Sequence, residues 1–199
     1  MKTAVYTAVI NPDIQICSVY PPQRQAEIDG CANDGVRLEK YTAWRLLAVS
    51  LKQSMGIDIG SLQFSKNSYG KWTADGCFFS ISHSGGSVAV AVSDAPVGVD
   101  IEMVKRYRVG IEKMILTPAE MKALEGLDRT AAEEYIIEKW SEKESIFKTL
   151  GKKGFQPLDI KAADYPTLSR KIEISENKFI LSVCSENIKN TEYYLNTKI

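Results

Sequence analysis

The sequence has few of the residues on which common metal and redox sites depend. Its only histidine is His83, and its 4 cysteines are scattered, with no C-x-x-C pair. A site built on several histidines is therefore excluded, and a zinc centre is not expected. We expect the cysteines to be reduced thiols in a cytoplasmic protein.

The sequence also lacks a long apolar run and an excess of one charge. No run of roughly 18 apolar residues occurs, so no membrane-spanning helix is predicted. Lys+Arg and Asp+Glu number 25 each, so the chain has no net charge. We therefore expect no nucleic-acid partner, and any site for anions has to be local. With 44% hydrophobic and 25% charged residues, the composition is that of a globular protein.

Helical and strand patterns alternate along the chain in two similar series. Each series has a strand, a helix and further strands, and the series divide near Pro96. The pattern predicts an α+β fold of two similar halves, residues 1–96 and 97–199, with the acidic residues of interest in the second half. The predicted helices cover residues 22–28, 37–55, 111–115 and 131–150, and the predicted strands cover residues 3–10, 62–65, 78–82, 87–92, 97–102, 171–175 and 178–183.

Two carboxylates lie close together on the predicted strand of residues 97–102. Side chains on a strand alternate between its faces, so Val99 and Ile101 face one way while Asp100 and Glu102 face the other. The Cα atoms of Asp100 and Glu102 are then about 6.6 Å apart. Carboxylates this close repel each other unless a cation lies between them, and oxygen-only ligands favour Mg²⁺. The pair is either such a site or the polar side of a solvated edge strand.

A glutamate and a lysine interrupt the apolar stripe of the predicted helix of residues 131–150. At about 100° per residue, Glu144 and Lys148 share a face with Trp140 and Phe147. The opposite face is predicted to carry Glu138, Lys139, Glu142 and Lys143. A surface Glu–Lys pair four residues apart adds only about 0.2–0.5 kcal/mol and is expected on the polar face. The alternative is that Glu144 is a third metal ligand or a general base, and that Lys148 contacts phosphate.

Glu120 and His83 each allow a structural and a functional interpretation. Glu120 stands three residues after Thr117, as in a capping box, which explains it without a function; a role in the site is the alternative. His83 follows Ser82 at a strand end beside a glycine turn. A serine hydrolase is excluded because no G-x-S-x-G elbow is present. His83 is either a structural histidine or, with Ser82 and the turn N–H groups, a phosphate contact.

Four segments, in this order and spacing, resemble the long, Sfp-type 4′-phosphopantetheinyl transferases. The segments are Gly70-Lys71, Ile81-Ser82-His83-Ser84, Gly98-Val99-Asp100-Ile101-Glu102 and Trp140-Ser141-x-Lys143-Glu144-x-x-x-Lys148. The recognisable stretch covers residues 64–154, with weaker similarity at 37–47 and 181–184.

The resemblance implies transfer of 4′-phosphopantetheine from coenzyme A to a serine of an apo acyl or peptidyl carrier protein. It implies two α+β halves related by a pseudo-twofold axis, coenzyme A in the cleft between them, and a monomer. The carrier protein is expected to dock on residues 151–185, where Lys152, Lys153, Lys161 and Lys171 would suit an acidic helix.

The resemblance also implies roles for individual residues. Asp100, Glu102 and Glu144 are expected to hold Mg²⁺, with Mn²⁺ as a possible substitute. Glu144 and Lys148 are expected to be catalytic. The expected contacts to coenzyme A are Lys71, Ser82, His83, Arg37 and Lys40. A coenzyme-A-binding or nucleotide-binding protein of the same fold without activity is the alternative, and a Mg²⁺-dependent phosphohydrolase is a third possibility.

Overall fold

The described part of the chain folds into three small β-sheets and several helices. The computed structural model describes residues 2–105 and 107–199. The strands are β1 (Thr3–Val9), β2 (Phe64–Lys66), β3 (Trp72–Ala74), β4 (Phe78–Ser84), β5 (Ser87–Ser93), β6 (Val97–Met103), β7 (Thr167–Ile174), β8 (Asn177–Ser185) and β9 (Thr191–Tyr194). The α-helices are α1 (Pro22–Asp29), α2 (Asp34–Ser50), α3 (Glu112–Ile115), α4 (Pro118–Leu124) and α5 (Arg129–Leu150). The predicted α+β class is confirmed.

The first sheet has the strand order β4-β5-β1-β9, and its inner strand β5 is buried on both faces. The sequence of β5 alternates valine with alanine, which sorts the two residue types onto opposite faces. Val88 and Val90 pack in one core with Trp44 of α2. Ala89 and Ala91 belong to a second core, which they share with the other half of the molecule. Small side chains on this face let the second sheet come close.

The second sheet has the strand order β6-β8-β7 and lies between the first sheet and α5. Val99 and Ile101 of β6 pack in the core that contains Ala89 of β5. The opposite face of β6 lies against α5 and carries Gly98. A Cβ atom on Gly98 would overlap the carbonyl oxygen of Ser145 in α5 and would lie 2.5 Å from Oγ1 of Thr149. Glycine at this position therefore permits the close approach of α5 to β6.

Most predicted elements are present with small changes at their ends. The predicted helix of residues 37–55 starts earlier, because the Asn33 side chain accepts a hydrogen bond from the N–H of Val36 and caps α2. Its last part, Leu51–Met55, is a π-helical turn that ends at Gly56. The predictions did not include the short strands β3 and β9.

Strand β9 lies beyond the predicted division at Pro96 but joins the first sheet. It pairs in parallel with β1, with Thr3 opposite Thr191. The division into residues 1–96 and 97–199 stays a prediction, and this pairing is a contact that crosses it. Within residues 2–105 and 107–199, no helix has the length and apolar character needed to cross a membrane.

We predict that Gly98→Ala destabilises the protein by about 3 kcal/mol or more, since backbone atoms of α5 have to move to make room for the methyl group. The free energy of unfolding from urea denaturation measures this effect. The matched control is Gly35→Ala in α2, where the added Cβ would meet only the side-chain Oδ1 of Asn33, at 3.1 Å. The control should change stability by less than about 1 kcal/mol. Equal stability of the two variants would contradict the prediction.

Candidate functional site

Asp100 and Glu102 lie next to each other on the face of β6 that α5 covers. Asp100 is only 1% exposed, and Glu102 is half-buried. Strand alternation predicted that both would share one face, and the structure shows it. They do not lie on a solvated edge, because β6 has α5 above it and β4 beside it.

Helix α5 adds a glutamate and a lysine to these two carboxylates. Nζ of Lys148 lies 2.8 Å from Oδ1 of Asp100 and 3.3 Å from Oε1 of Glu144. Lys148 and Glu144 are one helical turn apart and both face β6, as the helical spacing predicted. The Glu144–Lys148 pair is therefore part of a cluster between a helix and a strand, and not an isolated pair on the surface.

The carboxylates of Asp100, Glu102 and Glu144 come close enough to share one cation. One oxygen from each lies within 4.8 Å of the other two. Burial, together with the negative charges of Asp100 and Glu144, raises the pKa of Glu102 above its ordinary value. Burial and the charge of Asp100 likewise raise the pKa of Glu144, against the opposing effect of Lys148. The cluster thus holds more negative charge than one lysine offsets.

One oxygen of Asp100 supports a cation site directly. Oδ2 of Asp100 is buried and has no hydrogen-bond partner among the residues that the structure describes. A buried carboxylate oxygen without a partner is costly, and a bound cation would satisfy it. Carboxylate oxygens are ligands that suit Mg²⁺ or Mn²⁺. The three side chains therefore fit a divalent cation.

Lys148 stays charged within this cluster. Burial acts to lower its pKa, but the charges and hydrogen bonds of Asp100 and Glu144 raise the pKa of Lys148 above its ordinary value. The ammonium group therefore remains a donor and a positive charge at neutral pH. Such a group can bind a phosphate oxygen next to a cation.

Hydrogen bonds from other elements orient the carboxylates. The hydroxyl of Ser82 donates to Oδ1 of Asp100 at 2.8 Å, and that of Ser84 donates to Oε2 of Glu102 at 2.8 Å. The indole N–H of Trp140 donates to Oε1 of Glu102 at 3.2 Å. Sequence analysis did not give Ser84 or Trp140 an orienting role. The alternation of serines along β4 is the signal that could have identified Ser84.

A cavity of about 840 Å³ opens beside this cluster and is lined by both halves of the chain. The walls come from α2, the loop before β3, β4, the end of α5 and residues 151–154. Cationic and aromatic side chains make up much of the lining; among them are Arg24, Lys40, Trp44, Lys71, Trp72, Phe79, Phe147, Lys148, Lys152 and Lys153. Lys148 belongs both to this lining and to the carboxylate cluster. The cavity therefore suits an anionic ligand with an apolar or aromatic part.

The structure brings most, but not all, of the predicted ligand contacts to this cavity. Lys40, Lys71 and His83 line it. In the described part of the chain, Arg37 and Ser82 are not among the lining residues. Arg37 lies 3.6 Å from the carboxylate of Asp34, and the Ser82 hydroxyl faces Asp100. Their roles toward a ligand stay predictions.

Lys71 joins the two halves at the cavity wall. Its Nζ donates to the carbonyl oxygen of Lys148 at 2.8 Å, near the C-terminal end of α5. Burial, together with the nearby charge of Lys148, lowers the pKa of Lys71. A ligand phosphate between the two lysines would relieve this repulsion.

Arg24 is a cavity residue that sequence analysis missed. Its guanidinium lies over the ring of Trp44, with the carbon 4.8 Å from the ring centroid. It also donates to Glu27 at 2.9 Å and to the carbonyl oxygen of Lys40 at 3.2 Å. No motif marked Arg24, because its contacts depend on how α1 packs against α2.

The prediction that Lys143 lies on the exposed face of α5 is wrong. Its side chain is 0% exposed, and Nζ donates at 2.7 Å both to Oε2 of Glu120 and to the carbonyl oxygen of Ile115. The physical reason is that α3 and α4 supply residues that cover this part of α5 and contact Lys143. Glu120 makes the predicted capping box with Thr117 and in addition neutralises Lys143. Neither the capping-box interpretation of Glu120 nor the alternative role in the site included its ion pair with Lys143.

Comparison with known proteins gives a family for this arrangement. Residues 96–196 match the model of the 4′-phosphopantetheinyl transferase superfamily. A 4′-phosphopantetheinyl transferase of Bacillus subtilis is 32% identical over 57% of this chain and 52% of its own length. The 4′-phosphopantetheinyl transferase Sfp of Bacillus subtilis (strain 168) is 35% identical over 52% of this chain and 47% of its own. The transferase gsp of Aneurinibacillus migulanus is 32% identical over 57% and 48%. The matches thus span about half the length of these curated relatives.

We predict that Glu120→Gln lowers the free energy of unfolding by about 3 kcal/mol at pH 7, because it leaves a buried lysine without its counter-charge. Burial alone would raise the pKa of Glu120, but hydrogen bonds from Lys143 and Thr117 hold it below its ordinary value. This stabilisation is present above the pKa of the unfolded chain and is lost as pH falls through the lower pKa of the folded protein. As the pH is lowered from 7 to 3, the free energy of unfolding of the wild type, measured by urea denaturation, should approach that of the variant. Glu125→Gln, at the exposed end of α4, is the control and should match the wild type.

We also predict that divalent cations stabilise the folded protein through the carboxylate cluster. Adding Mg²⁺ or Mn²⁺ should raise the thermal unfolding midpoint, since only the folded chain brings the ligands together. Asp100→Asn should remove most of this increase, whereas Asp75→Asn in the exposed turn before β4 should keep it. An equal increase in both variants would place the cation elsewhere.

Proposed function

Because the chain belongs to the 4′-phosphopantetheinyl transferase superfamily, we propose that it transfers 4′-phosphopantetheine from coenzyme A to a serine hydroxyl of an apo acyl or peptidyl carrier protein. Adenosine 3′,5′-bisphosphate is the other product. The observation that carries the proposal is the junction at Lys148, where a cationic cavity meets a cluster of three carboxylates. A transferase of this kind needs both an anion-binding cleft and a cation site at the reacting phosphate.

The cavity supports coenzyme A as the ligand. Lys40, Lys71 and His83 supply hydrogen-bond donors for the phosphates along one wall, and the two lysines supply positive charge. Aromatic side chains such as Trp72 and Phe79 supply apolar surface for the rest of the nucleotide. Arg37 and Ser82 stay candidates for phosphate contacts, but among the described residues neither lines the cavity.

We propose that Asp100, Glu102 and Glu144 hold Mg²⁺ beside the pyrophosphate of coenzyme A. The unpartnered Oδ2 of Asp100 and the raised pKa values of Glu102 and Glu144 support this assignment. When bound, the metal would offset the charge that develops on the phosphate oxygens.

The chemistry itself needs a proton acceptor and a group that stabilises the leaving phosphate. The serine oxygen of the carrier attacks the β-phosphorus, the new P–O bond forms, and the bond to the bridging oxygen breaks. Glu144 takes the serine proton, directly or through a water. Lys148 stabilises the departing phosphate and can protonate it. Positioning and charge stabilisation supply most of the rate.

The carrier protein is proposed to dock beside the cavity mouth on residues 151–185. Lys152 and Lys153 are exposed and line the cavity, so they would meet an acidic helix of the carrier next to the site. Lys161 is exposed farther along the segment. Lys171 lies 2.5 Å from Glu134, and so part of its charge is already offset.

We propose further that the two halves are related by an approximate twofold axis and that one chain acts as a monomer in the cytoplasm. Each half has a sheet covered by one long helix, with α2 on the first sheet and α5 on the second. The cavity uses residues from both, so a single chain supplies a complete cleft.

The proposal predicts that the purified protein adds one phosphopantetheine to an apo carrier protein in the presence of coenzyme A and Mg²⁺. Glu144→Gln should reduce the rate by at least about 100-fold, because it removes both a base and a metal ligand. Mass spectrometry of the carrier measures the transfer, and a chelator should abolish it. The control is Glu138→Gln, which changes a glutamate of the same helix outside the cluster.

Each alternative function has its own outcome in this assay. Binding of coenzyme A with no mass gain on any carrier would indicate a protein that binds but does not transfer. Release of free phosphate without a carrier would indicate a phosphohydrolase. Wild-type turnover by Glu144→Gln would refute the catalytic assignment.

A further inference from the structure

Three alternate serines of β4 form a row of contacts with β6. Oγ of Ser80 accepts a hydrogen bond from the backbone N–H of Val99 at 3.0 Å. The hydroxyl of Ser82 donates to Asp100, and that of Ser84 donates to Glu102, each at 2.8 Å. Strands β4 and β6 belong to different sheets, so this row joins the two halves where the carboxylates lie.

Ser84 differs from Ser80 because it contacts both the backbone and a carboxylate. Its oxygen accepts the N–H of Met103 at 3.2 Å, which leaves its own proton free to donate to Oε2 of Glu102. The hydroxyl is thus held in one orientation by β6 itself. Ser80 makes a backbone contact to β6, with Val99, and that contact involves no carboxylate.

The turn after β4 holds Ser84 in place. Gly85 has a φ of 54°, and a Cβ there would lie 2.7 Å from the sulfur of Met103. The turn therefore packs directly against β6, and Ser84 has little freedom to move away from Glu102. A residue in this setting can orient a flexible side chain.

Glu102 needs such orientation more than Asp100 does. Its longer side chain has an additional rotatable bond, and ordering it lowers conformational entropy. Ser84 holds Oε2, and Trp140 holds Oε1 at 3.2 Å, so both oxygens are fixed while each keeps a lone pair. Partners of this kind fix the geometry of a metal ligand before the metal arrives.

We propose that Ser84 is a positioning residue that orients Glu102 for binding of a divalent cation. This inference rests on the proposed function, in which Glu102 is a metal ligand. Ser84 does not touch the substrate in this account; it acts through Glu102. Its loss should weaken metal binding while the binding of coenzyme A and the fold are largely kept.

The test compares Ser84→Ala with Ser80→Ala, which removes a hydroxyl from the same row and leaves Glu102 untouched. Binding of Mn²⁺ to the purified protein is measured by electron paramagnetic resonance, without substrate. Ser84→Ala should bind Mn²⁺ about 10-fold or more weakly, while Ser80→Ala binds like the wild type. Ser84→Thr, which keeps the hydroxyl, should restore binding. The Mg²⁺ concentration for half-maximal transfer should rise only in Ser84→Ala, with the KM for coenzyme A unchanged.

The possible results separate this inference from the proposed function. Wild-type Mn²⁺ affinity in Ser84→Ala, or equal losses in both alanine variants, overturns the positioning role but leaves the transferase intact. Absence of Mn²⁺ binding by the wild type overturns the metal site and the inference together. Urea denaturation of each variant shows whether a loss comes from unfolding.

Discussion

The close contact between α5 and β6 determines whether the site can exist. Glu144 and Lys148 belong to a helix, and Asp100 and Glu102 belong to a strand about 40 residues earlier in the chain. Their side chains meet because no side chain lies between the two backbones at Gly98. A wider spacing would leave separate charges on two surfaces. The close packing at Gly98 therefore brings the charged side chains of the cluster together.

The cluster and the cavity depend on each other through charge. The carboxylates raise the pKa of Lys148, and burial together with the charge of Lys148 lowers the pKa of Lys71 on the other side. Negative charge thus lies between β6 and α5 of the second half, and positive charge lines the adjacent cavity. A ligand with phosphate groups and a divalent cation together complement both regions. Neither region alone suits such a ligand.

Periodicity was sufficient to predict the contacts that lie along one element. Strand alternation placed Asp100 with Glu102, and helical spacing placed Glu144 with Lys148. Periodicity did not predict the environment of residues whose partners lie on a distant element. Lys143 was assigned to solvent because a helical wheel does not show a second covering layer, which here comes from α3. The orienting role of Ser84 and the cavity position of Arg24 were not predicted for the same reason, since their partners lie on β6 and α2. Strand β9 is short and pairs at the edge of the sheet, so its local pattern was weak.

The parallel pairing of β9 with β1 has a consequence for how the chain folds. Thr3 pairs with Thr191, so one edge of the first sheet stays open until almost all of these residues have been synthesised. Long-range strand pairing of this kind slows folding, and an open edge can pair with other chains in the meantime. The N-terminal sheet is thus expected to reach its final form late. Closure of this edge by β9 would then be one of the last steps of folding.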